Sequence, residues 1–530
     1  MNYLKKYNSN NLILFLLLFI IFLFGLEAAN DYGLSWDSMQ RSSGIRAAGF
    51  IMTKLGVPNS LENEYEKYPR DHNDAYGVIF DLISIAIEKS FELKDKKDIY
   101  TMRHRLNFLF YFIGCLFFLL ICKNIFNLRI AIISFLIYAI HPRLFAHGFF
   151  NPKDAILQAF VIMSLYPILL SFRMKSIKWF IASGIMMGIC ISTRVVMIYL
   201  PFLFILFFAY LNKEKFSISY LKKDLTVIKY IFCTFFFTAL STIIFLPALW
   251  ENPITNFKWI FITMKNFPWN GSVLFMGDTI SSSELPWYYL LIWFFITTPI
   301  SFCFLYILGI VRSIYYLSFK SVKQHPLLYF SIFGILIPYI SVIIFNSSLY
   351  DGWRHFYFVY PFISFISIYG FMFIKKMLSN NNSIKNKNIF YLIIIFVIFY
   401  SPVTSIFKLH PHQNVYFNFL AGKDPLLKYE GDYWGISYKQ GLEKLIELEK
   451  NDILLAVGNF PGKNNLQMIE KKDRDRIKIV QKENAKYFIT NFRSQINDYK
   501  LSKKGLHPYN KEIYKINFGE MKILGLYELP

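Results

Sequence analysis

The candidate catalytic residues of this chain are carboxylates at the ends of long apolar runs. Asp37 follows the first such run, in the stretch NDYGLSWDS, and Asp154 follows another, in HPRLFAHGFFNPKD. A carboxylate within hydrogen-bond reach of a hydroxyl group can accept its proton while that hydroxyl attacks, and so act as a general base. For Asp31, in the first stretch, the sequence allows both a role as a spacer and a role in the chemistry.

Asp154 has an equally good structural explanation. Asn151 is a natural N-cap, Pro152 suits the first helical position, and an acidic residue favours the first turn of a helix. The residue types therefore leave capping and function open for Asp154. Arg143 and His147, which precede it in the same segment, are harder to explain by capping.

Positively charged side chains stand at similar junctions between apolar runs. A guanidinium that faces inward there can bind phosphate through two parallel hydrogen bonds, although Arg194 in STRVVM could instead extend to the membrane interface. The segment YDGWRHFYF concentrates more polar groups than a short turn needs. We expect phosphate or sugar contacts from Arg143, Lys153, Arg194, Arg354 and His355.

Long apolar runs place the chain among polytopic membrane proteins. Of its 530 residues 55% are hydrophobic and only 17% are charged, and runs of about 20 apolar residues are what a membrane-spanning helix requires. We predict about eleven spans, near residues 11–26, 106–122, 128–147, 155–172, 178–193, 195–211, 230–250, 287–311, 327–346, 356–374 and 389–407. The first is either a span or a cleavable signal peptide, and we favour an uncleaved helix.

The distribution of charge predicts the orientation. The formal net charge of +22 comes mainly from lysines and arginines in short connectors between apolar runs, which indicates the inner side of a membrane rather than a nucleic-acid surface. No His/Cys cluster with metal-ligand spacing is present in the sequence. We predict no cofactor, and a divalent cation has no support from the residues.

Two segments lie outside the spans, on the outer side by this topology. The first outer loop, about residues 30–103, carries the acidic residues Asp31, Asp37, Glu62, Glu64, Glu66, Asp71, Asp74 and Asp81. Its second half predicts an amphipathic helix on the membrane surface after Tyr76, of which the aspartates could be no more than the solvated face. The tail, residues 409–530, alternates helix and strand patterns and predicts a small α/β domain next to an all-α membrane domain of residues 1–408.

Several of these stretches together resemble a family. DYGLSWDS, YGVIFDL, HPRLFAHGFFNPKD, ELPWYYLLIWFFITTP, YDGWRH, LHPHQNVYFN and GDYWGISYK occur in an order similar to that of bacterial proteins related to glycosyltransferase family 39. That family includes protein O-mannosyltransferases and aminoarabinose transferases of the GT-C superfamily. The resemblance extends from the first outer loop to the start of the tail.

The resemblance implies an activity and roles for particular residues. Such enzymes transfer a sugar, with inversion, from a polyprenyl-phosphate donor to an acceptor outside the cytoplasm. Their first loop carries an acidic pair whose aspartate is taken as the base, and here the matching pair is Asp37-Ser38, so the second acid is missing. Asp81 is a candidate to replace it in part, and Asp154 inherits a proposed active-site role.

Three functions fit the sequence, to different degrees. A lipid-phosphosugar glycosyltransferase of the bacterial inner membrane fits best, with its active site on the outer face and a protein, lipid or polysaccharide as acceptor. A transporter or lipid flippase fits less well, because the spans are almost free of charge. A non-catalytic scaffold is the third alternative, motivated by the incomplete acidic pair.

Overall fold

The computed structural model describes residues 9–57, 68–69, 71–216, 225–265, 267, 269–381, 386–506, 509 and 511–530. Glu62, Glu64 and Glu66 of the first outer loop lie outside the described residues, as do parts of two predicted inner connectors.

A bundle of apolar helices forms most of the molecule. Inside a bilayer only helices or closed barrels satisfy every backbone hydrogen bond, which is why the apolar runs fold in this way. The helices up to residue 409 are α1 (Ser9–Ala28), α2 (Arg41–Lys54), α3 (Ile79–Ser90), α4 (Lys96–Ile125), α5 (Leu128–Ala139), α6 (Pro142–Phe150), α7 (Asp154–Met174), α8 (Ile177–Thr193), α9 (Tyr199–Leu211), α10 (Thr226–Phe245), α11 (Pro253–Lys265), α12 (Tyr289–Thr297), α13 (Ile300–Tyr315), α14 (Phe319–Gln324), α15 (Pro326–Phe345), α16 (Tyr360–Asn380) and α17 (Lys387–Leu409).

The structure contains an apolar helix at every predicted span, but not all of these helices are long. Among the described residues, six helices are long and apolar enough to cross a membrane, or seven if the bent pair α5–α6 counts as one span. Shorter apolar helices lie at the other predicted positions. The figure of about eleven spans therefore describes apolar segments, of which several are short or interrupted.

Prolines explain the interruptions. The axes of α5 and α6 differ by 69° across His141-Pro142, and α12 ends before Thr298-Pro299, where α13 begins. The ring of a proline disfavours the helical conformation of the residue before it, so each break occurs at the residue that precedes a proline. Hydropathy alone does not indicate such breaks.

One end of the bundle carries the polar elements. The first outer loop contributes α2 and α3, and the predicted helix after Tyr76 is α3. A two-stranded antiparallel hairpin, β1 (Ser272–Phe275) and β2 (Asp278–Ser281), lies between α11 and α12 and was not predicted.

The tail folds into the predicted α/β domain. Its elements are α18 (Ser437–Leu448), β3 (Ile453–Val457), α19 (Phe460–Asn464), α20 (Lys471–Arg474), β4 (Ile477–Ile479), β5 (Tyr487–Thr490), α21 (Ile496–Lys503), β6 (Lys511–Phe518) and β7 (Met521–Glu528). The sheet has the order β4-β3-β5-β7-β6, parallel from β4 to β5 and antiparallel thereafter. The sequence pattern predicts a helix in DYWGISYKQGLEKLIELEKND and strands in ILLAVGNF, RIKIV and KYFITNF, which are α18, β3, β4 and β5. The β6–β7 hairpin lies outside that prediction.

The tail domain packs directly on the polar end of the bundle. Asp432 stabilises the turn that leads into α18, because its carboxylate accepts hydrogen bonds from the backbone N–H groups of residues 435, 436 and 437. The segment before it is anchored to the bundle, since Asn418 Nδ2 donates to the carbonyl oxygens of Phe295 and Thr298 at 2.6 and 2.7 Å. The polar end of the bundle and the tail domain therefore form one continuous structure.

Candidate active site

Asp37 lies in a short 3-10 helix, Trp36–Gln40, directly after the first apolar helix. The approach to this helix is fixed by Asn465 of the tail domain, whose side chain accepts from Leu34 N at 2.8 Å and donates to Leu34 O at 3.1 Å. Asn465 is fully buried. The tail domain thus helps to set the position of Asp37.

Two further contacts hold the same segment. The Ser35 hydroxyl donates to the carbonyl oxygen of Phe150 at 2.8 Å. At Gly33 the backbone approaches the tail domain so closely that an added Cβ would lie 2.4 Å from the carbonyl oxygen of Ile436. Only glycine allows this approach without a shift of the backbone.

Asp154 begins α7 and is almost completely buried, at 2% exposed. Its carboxylate forms an ion pair with Arg194, lies 3.2 Å from Arg354 Nη1 and accepts a hydrogen bond from Asn151 Nδ2 at 2.9 Å. Two arginines and an amide therefore surround this single carboxylate.

The turn before α7 corrects one detail of the sequence prediction. Asn151 does cap this turn, because its side-chain oxygen accepts from the backbone N–H groups of Lys153 and Asp154 at 3.2 and 2.9 Å. Pro152, however, lies in the turn and not in the first helical position, since the helix starts two residues later.

Arg354 joins the two candidate catalytic carboxylates. Its Nη1 lies 3.3 Å from Asp37 Oδ2 and 3.2 Å from Asp154 Oδ2, and its Nε lies 3.2 Å from Asp351 Oδ2. Lys153 Nζ lies 3.4 Å from the other oxygen of Asp37. Five residues predicted from the sequence therefore form one network with Asp351: Asp37, Lys153, Asp154, Arg194 and Arg354.

Arg493 is a member of this network that the sequence analysis missed. It comes from the tail domain, and its Nη2 lies 2.7 Å from Asp351 Oδ1. Its guanidinium also lies over the Trp36 ring, 5.7 Å from the centroid. Asp351 has a backbone φ of +58°, a strained conformation for a non-glycine residue that the surrounding contacts must hold in place.

A cavity of about 390 Å³ opens beside Asp37. Its walls combine charged groups with aromatic faces, and the residues that line it include Trp36, Asp37, His72, Tyr76, Lys153, Trp269, Tyr350, Asp351, Arg354 and Arg493. Asp154 and Arg194 do not line the cavity. Asp154 pairs with Arg354, which does line it, and Arg194 pairs with Asp154. A concave site with few charged groups among aromatic walls is typical of ligand pockets.

The charges of the network do not balance. Lys153, Arg194, Arg354 and Arg493 form ion pairs with three carboxylates, those of Asp37, Asp154 and Asp351. Burial and the nearby Asp351 raise the pKa of the neighbouring Glu430 to about 8, so that Glu430 is mainly neutral at pH 7. The described network therefore carries one excess positive charge. Such a site favours an anion.

The pKa values of Asp37 and Lys153 follow from this arrangement. Burial would raise the pKa of Asp37, but Lys153 and Arg354 outweigh that effect and hold the pKa below its usual range. Burial lowers the pKa of Lys153 to about 8, against the opposing effect of Asp37. At neutral pH Asp37 is therefore ionised and Lys153 is still mainly protonated, but Lys153 loses its charge as the pH rises through about 8.

Aromatic rings line the cationic side chains. Lys153 Nζ lies 3.8 Å and the Arg194 guanidinium 5.4 Å from the Tyr76 ring centroid, and Arg354 lies between the rings of Tyr350 and Trp434. These rings stabilise positive charge without adding a carboxylate that would compete with a bound anion.

Two predicted site residues, Asp81 and Arg143, make contacts outside the Asp37 network. Asp81 pairs with Arg103 at 2.5 Å, away from the Asp37 network. Arg143 is fully buried, donates to the Tyr416 carbonyl oxygen at 2.8 Å and stacks on Phe417. The roles predicted for Asp81 and Arg143 remain predictions without a contact to the network.

His355 follows Arg354 but points to different surroundings. Its ring packs edge-on against Tyr350, with the centroids 4.6 Å apart. Its Nδ1 is buried and has no hydrogen-bond partner among the described residues. His355 therefore lies beside the network, and its predicted contact with phosphate or sugar also remains a prediction.

Asp31 and His147, whose roles the sequence leaves open, have hydrogen-bond partners in the structure. Asp31 Oδ2 lies 2.8 Å from His410 Nε2, and this contact lowers the pKa of Asp31. His147 connects Asn151 to Tyr357 and Trp434 through contacts of 3.0 to 3.3 Å. Within the described part of the chain no three His, Cys, Asp or Glu side chains are grouped so that they could hold a metal ion.

The comparison with known families supports the resemblance. Residues 102–245 match the family described as dolichyl-phosphate-mannose-protein mannosyltransferase. This match confirms the predicted resemblance and indicates that the chain is a membrane glycosyltransferase. No curated protein sequence matches the chain.

Several solved structures are similar to this chain, all weakly. ArnT from Cupriavidus metallidurans bound to undecaprenyl phosphate is 13% identical, with 96% of this chain and 97% of that chain covered and a TM-score of 0.43. The Archaeoglobus fulgidus oligosaccharyltransferase AglB in complex with an inhibitory peptide and a dolichol-phosphate is 11% identical, with 95% and 71% covered and a TM-score of 0.46. At these values neither similarity supports a conclusion about the site of this chain.

Proposed function

We propose that the chain transfers a sugar from a polyprenyl-phosphate donor to a hydroxyl group of an acceptor outside the cytoplasm, with Asp37 as the general base. The observation that carries this proposal is the joint placement of Asp37, Lys153 and Arg354 around one cavity. The reaction needs a base for the acceptor and positive charge for the leaving phosphate, and this cavity offers both.

The cations provide the site for the donor phosphate. Lys153 and Arg354 line the cavity, and Arg194 adds its positive charge from behind them, through its ion pair with Asp154. The excess positive charge of the network favours the phosphate of the donor and stabilises the polyprenyl phosphate that leaves.

Asp37 acts on the acceptor. The acceptor oxygen attacks the anomeric carbon, the bond between that carbon and the phosphate oxygen breaks, and the hydroxyl proton passes to the Asp37 carboxylate. The leaving group keeps its negative charge beside Lys153 and Arg354. A single displacement of this kind inverts the configuration at the anomeric carbon.

The ion pairs of Asp37 couple donor binding to base strength. A carboxylate with a lowered pKa is a weak base. When the donor phosphate attracts Lys153 and Arg354 and adds its own negative charge, the pKa of Asp37 rises toward neutrality. We infer that donor binding converts Asp37 into a stronger base.

Asp154 has a positioning role in this scheme. Its carboxylate is occupied by Arg194, Arg354 and Asn151, which leaves it poorly placed to accept a proton from an acceptor. Asp154 instead fixes the two guanidinium groups for the phosphate. This assignment differs from the catalytic role that the family resemblance implies.

The cellular setting follows from the same scheme. We propose that the polar end of the bundle and the tail domain face the outside of the bacterial inner membrane, where polyprenyl-phosphate sugars serve as donors. The proposal names no particular sugar or acceptor. The test therefore supplies several sugars and three classes of acceptor: protein, lipid and polysaccharide.

The proposal is tested with purified protein in liposomes. A panel of radiolabelled polyprenyl-phosphate sugars is supplied with each acceptor class, for the wild type and Asp37→Asn. Transfer of label by the wild type alone supports the proposal and identifies the acceptor. If a correctly folded wild type moves no sugar from any donor, the proposal is wrong, and lipid flipping that Asp37→Asn leaves unchanged would favour the transporter alternative.

A further inference from the structure

A second polar cavity lies at the opposite end of the bundle from Asp37. It has a volume of about 290 Å³ and lies between the end of α13, helix α14 and the end of α16. Helix α13 starts beside the tail-domain anchor at Thr298 and α16 starts next to Arg354, so their other ends are remote from the candidate active site.

The walls of this cavity are basic. Arg312, Lys320 and Lys376 line it, and no Asp or Glu is among its described lining residues. None of these three cations forms an ion pair with the described residues, whereas the neighbouring Lys323 pairs with Glu214 at 3.7 Å. Among the described residues, the three positive charges of the cavity therefore have no ion-pair partner.

Neutral hydrogen-bonding groups complete the cavity. Ser318 and Ser321 contribute hydroxyl groups, and the hydroxyl group of Tyr369 lies 3.3 Å from His325 Nδ1. Burial and the nearby Arg312 lower the pKa of His325, so its ring is neutral at pH 7. Hydroxyl groups beside fixed cations match a group with several acceptor oxygens and negative charge.

Arg312 is fixed in place before any ligand arrives. Its Nη1 donates to the Tyr369 carbonyl oxygen at 3.1 Å, and the guanidinium lies 5.6 Å from the Tyr369 ring centroid. A guanidinium anchored in this way loses little side-chain entropy when it binds an anion.

We propose that this cavity binds the phosphate group of an anionic lipid. A lipid is favoured over free phosphate because exposed apolar and aromatic side chains lie at the end of α13 beside the cavity, those of Tyr315, Tyr316 and Leu317. Tyrosines are typical of the membrane interface, and basic pockets between membrane helices bind lipid headgroups. Such a lipid would link α13 to α14 and α16.

The test compares two charge-matched double variants. Lys320→Gln/Lys376→Gln removes two cavity lysines, which make no ion pair with the described residues. Lys323→Gln/Lys375→Gln removes the neighbouring lysines, which do not line the cavity. Each purified protein is titrated with phosphatidylglycerol or phosphatidylcholine, and bound lipid is counted by native mass spectrometry.

We expect the wild type and the control variant to retain phosphatidylglycerol equally and to prefer it to phosphatidylcholine. The cavity variant should bind it about thirtyfold more weakly, since each basic residue near an anionic headgroup contributes about fivefold. Equal losses in both variants, or equal retention of the two lipids, would overturn the proposal.

Inorganic phosphate serves as the competitor that distinguishes the two sources of the phosphate group. Lipid that stays bound in its presence supports a headgroup site. Displacement of the lipid by phosphate alone would contradict the lipid assignment and indicate a site for free phosphate. Because the readout is bound lipid, the result is independent of sugar transfer.

Discussion

The first outer loop contains two kinds of buried carboxylate. Asp74 is fully buried and pairs with Arg46 at 2.6 Å, and Asp81 pairs with Arg103 at 2.5 Å. Asp37 instead pairs with Lys153, shares Arg354 with Asp154 and Asp351, and borders a cavity. The same residue type thus stabilises the fold where its arginine pairs only with carboxylates of the same loop. It is available for chemistry where a partner is shared with distant carboxylates and a ligand can enter.

Apart from the base itself, the largest effect is expected at the shared partner, Arg354. Arg354→Gln removes the cation between Asp37 and Asp154 and should lower the transfer rate by about 10²–10³-fold, as for other groups that stabilise charge in the transition state. Arg354→Lys keeps the charge without the fork and should recover part of the rate. If both variants transfer sugar as fast as the wild type, per folded molecule, then sharing Arg354 does not distinguish Asp37 from the other carboxylates of the loop.

Asp81→Asn should act on stability instead. It leaves the buried guanidinium of Arg103 unpaired, which we expect to destabilise the protein by about 3–5 kcal/mol. Transfer per folded molecule should be unchanged, because Asp81 does not contact the network. Thermal unfolding followed together with transfer measures both; a loss of rate without a loss of stability would return Asp81 to the site.

The low pKa of Lys153 predicts a limit at alkaline pH. Its positive charge is present below pH 8 and is lost as the pH rises through about 8, so the apparent kcat/KM for the donor should fall above that pH. Lys153→Arg keeps its charge and should extend activity to higher pH. If the alkaline limb is the same in both proteins, Lys153 is not the group that holds the donor phosphate.

The smallest effect is expected at Asp71. Its side chain is 40% exposed and lies 3.2 Å from Arg46, which also has the fully buried Asp74. Asp71→Asn keeps the side-chain oxygen that caps Asn73 and removes only the charge. The loss of stability should be below about 1 kcal/mol, and a larger loss in thermal unfolding would show that exposure is a poor guide in this loop.

Membrane helices and charged junctions were predictable, because each depends on local sequence. Apolar runs indicate spans, and the ends of these spans identified Asp37, Lys153, Asp154, Arg194 and Arg354. The β6–β7 hairpin also has a local signal, the alternating apolar residues Tyr514, Ile516 and Phe518 before Gly519, whose φ is +58°.

Contacts that depend on distant segments were not predictable in this way. Arg493 lies 142 residues from Asp351 and resembles any basic residue of a soluble domain. Likewise, nothing in the pattern around Asp81 distinguishes it from Asp37. Only the folded chain supplies Arg103 for one and the shared cations for the other.

The central claim is that Asp37 is the base, and the most direct test separates kcat from KM. Asp37→Asn keeps the shape of the side chain and removes its basicity, so kcat should fall by about 10²–10⁴-fold, while KM for the polyprenyl-phosphate donor stays the same or decreases. Asp81→Asn, assayed per folded molecule, should keep the wild-type kcat. An Asp37→Asn protein with wild-type kcat and a raised donor KM would contradict the account.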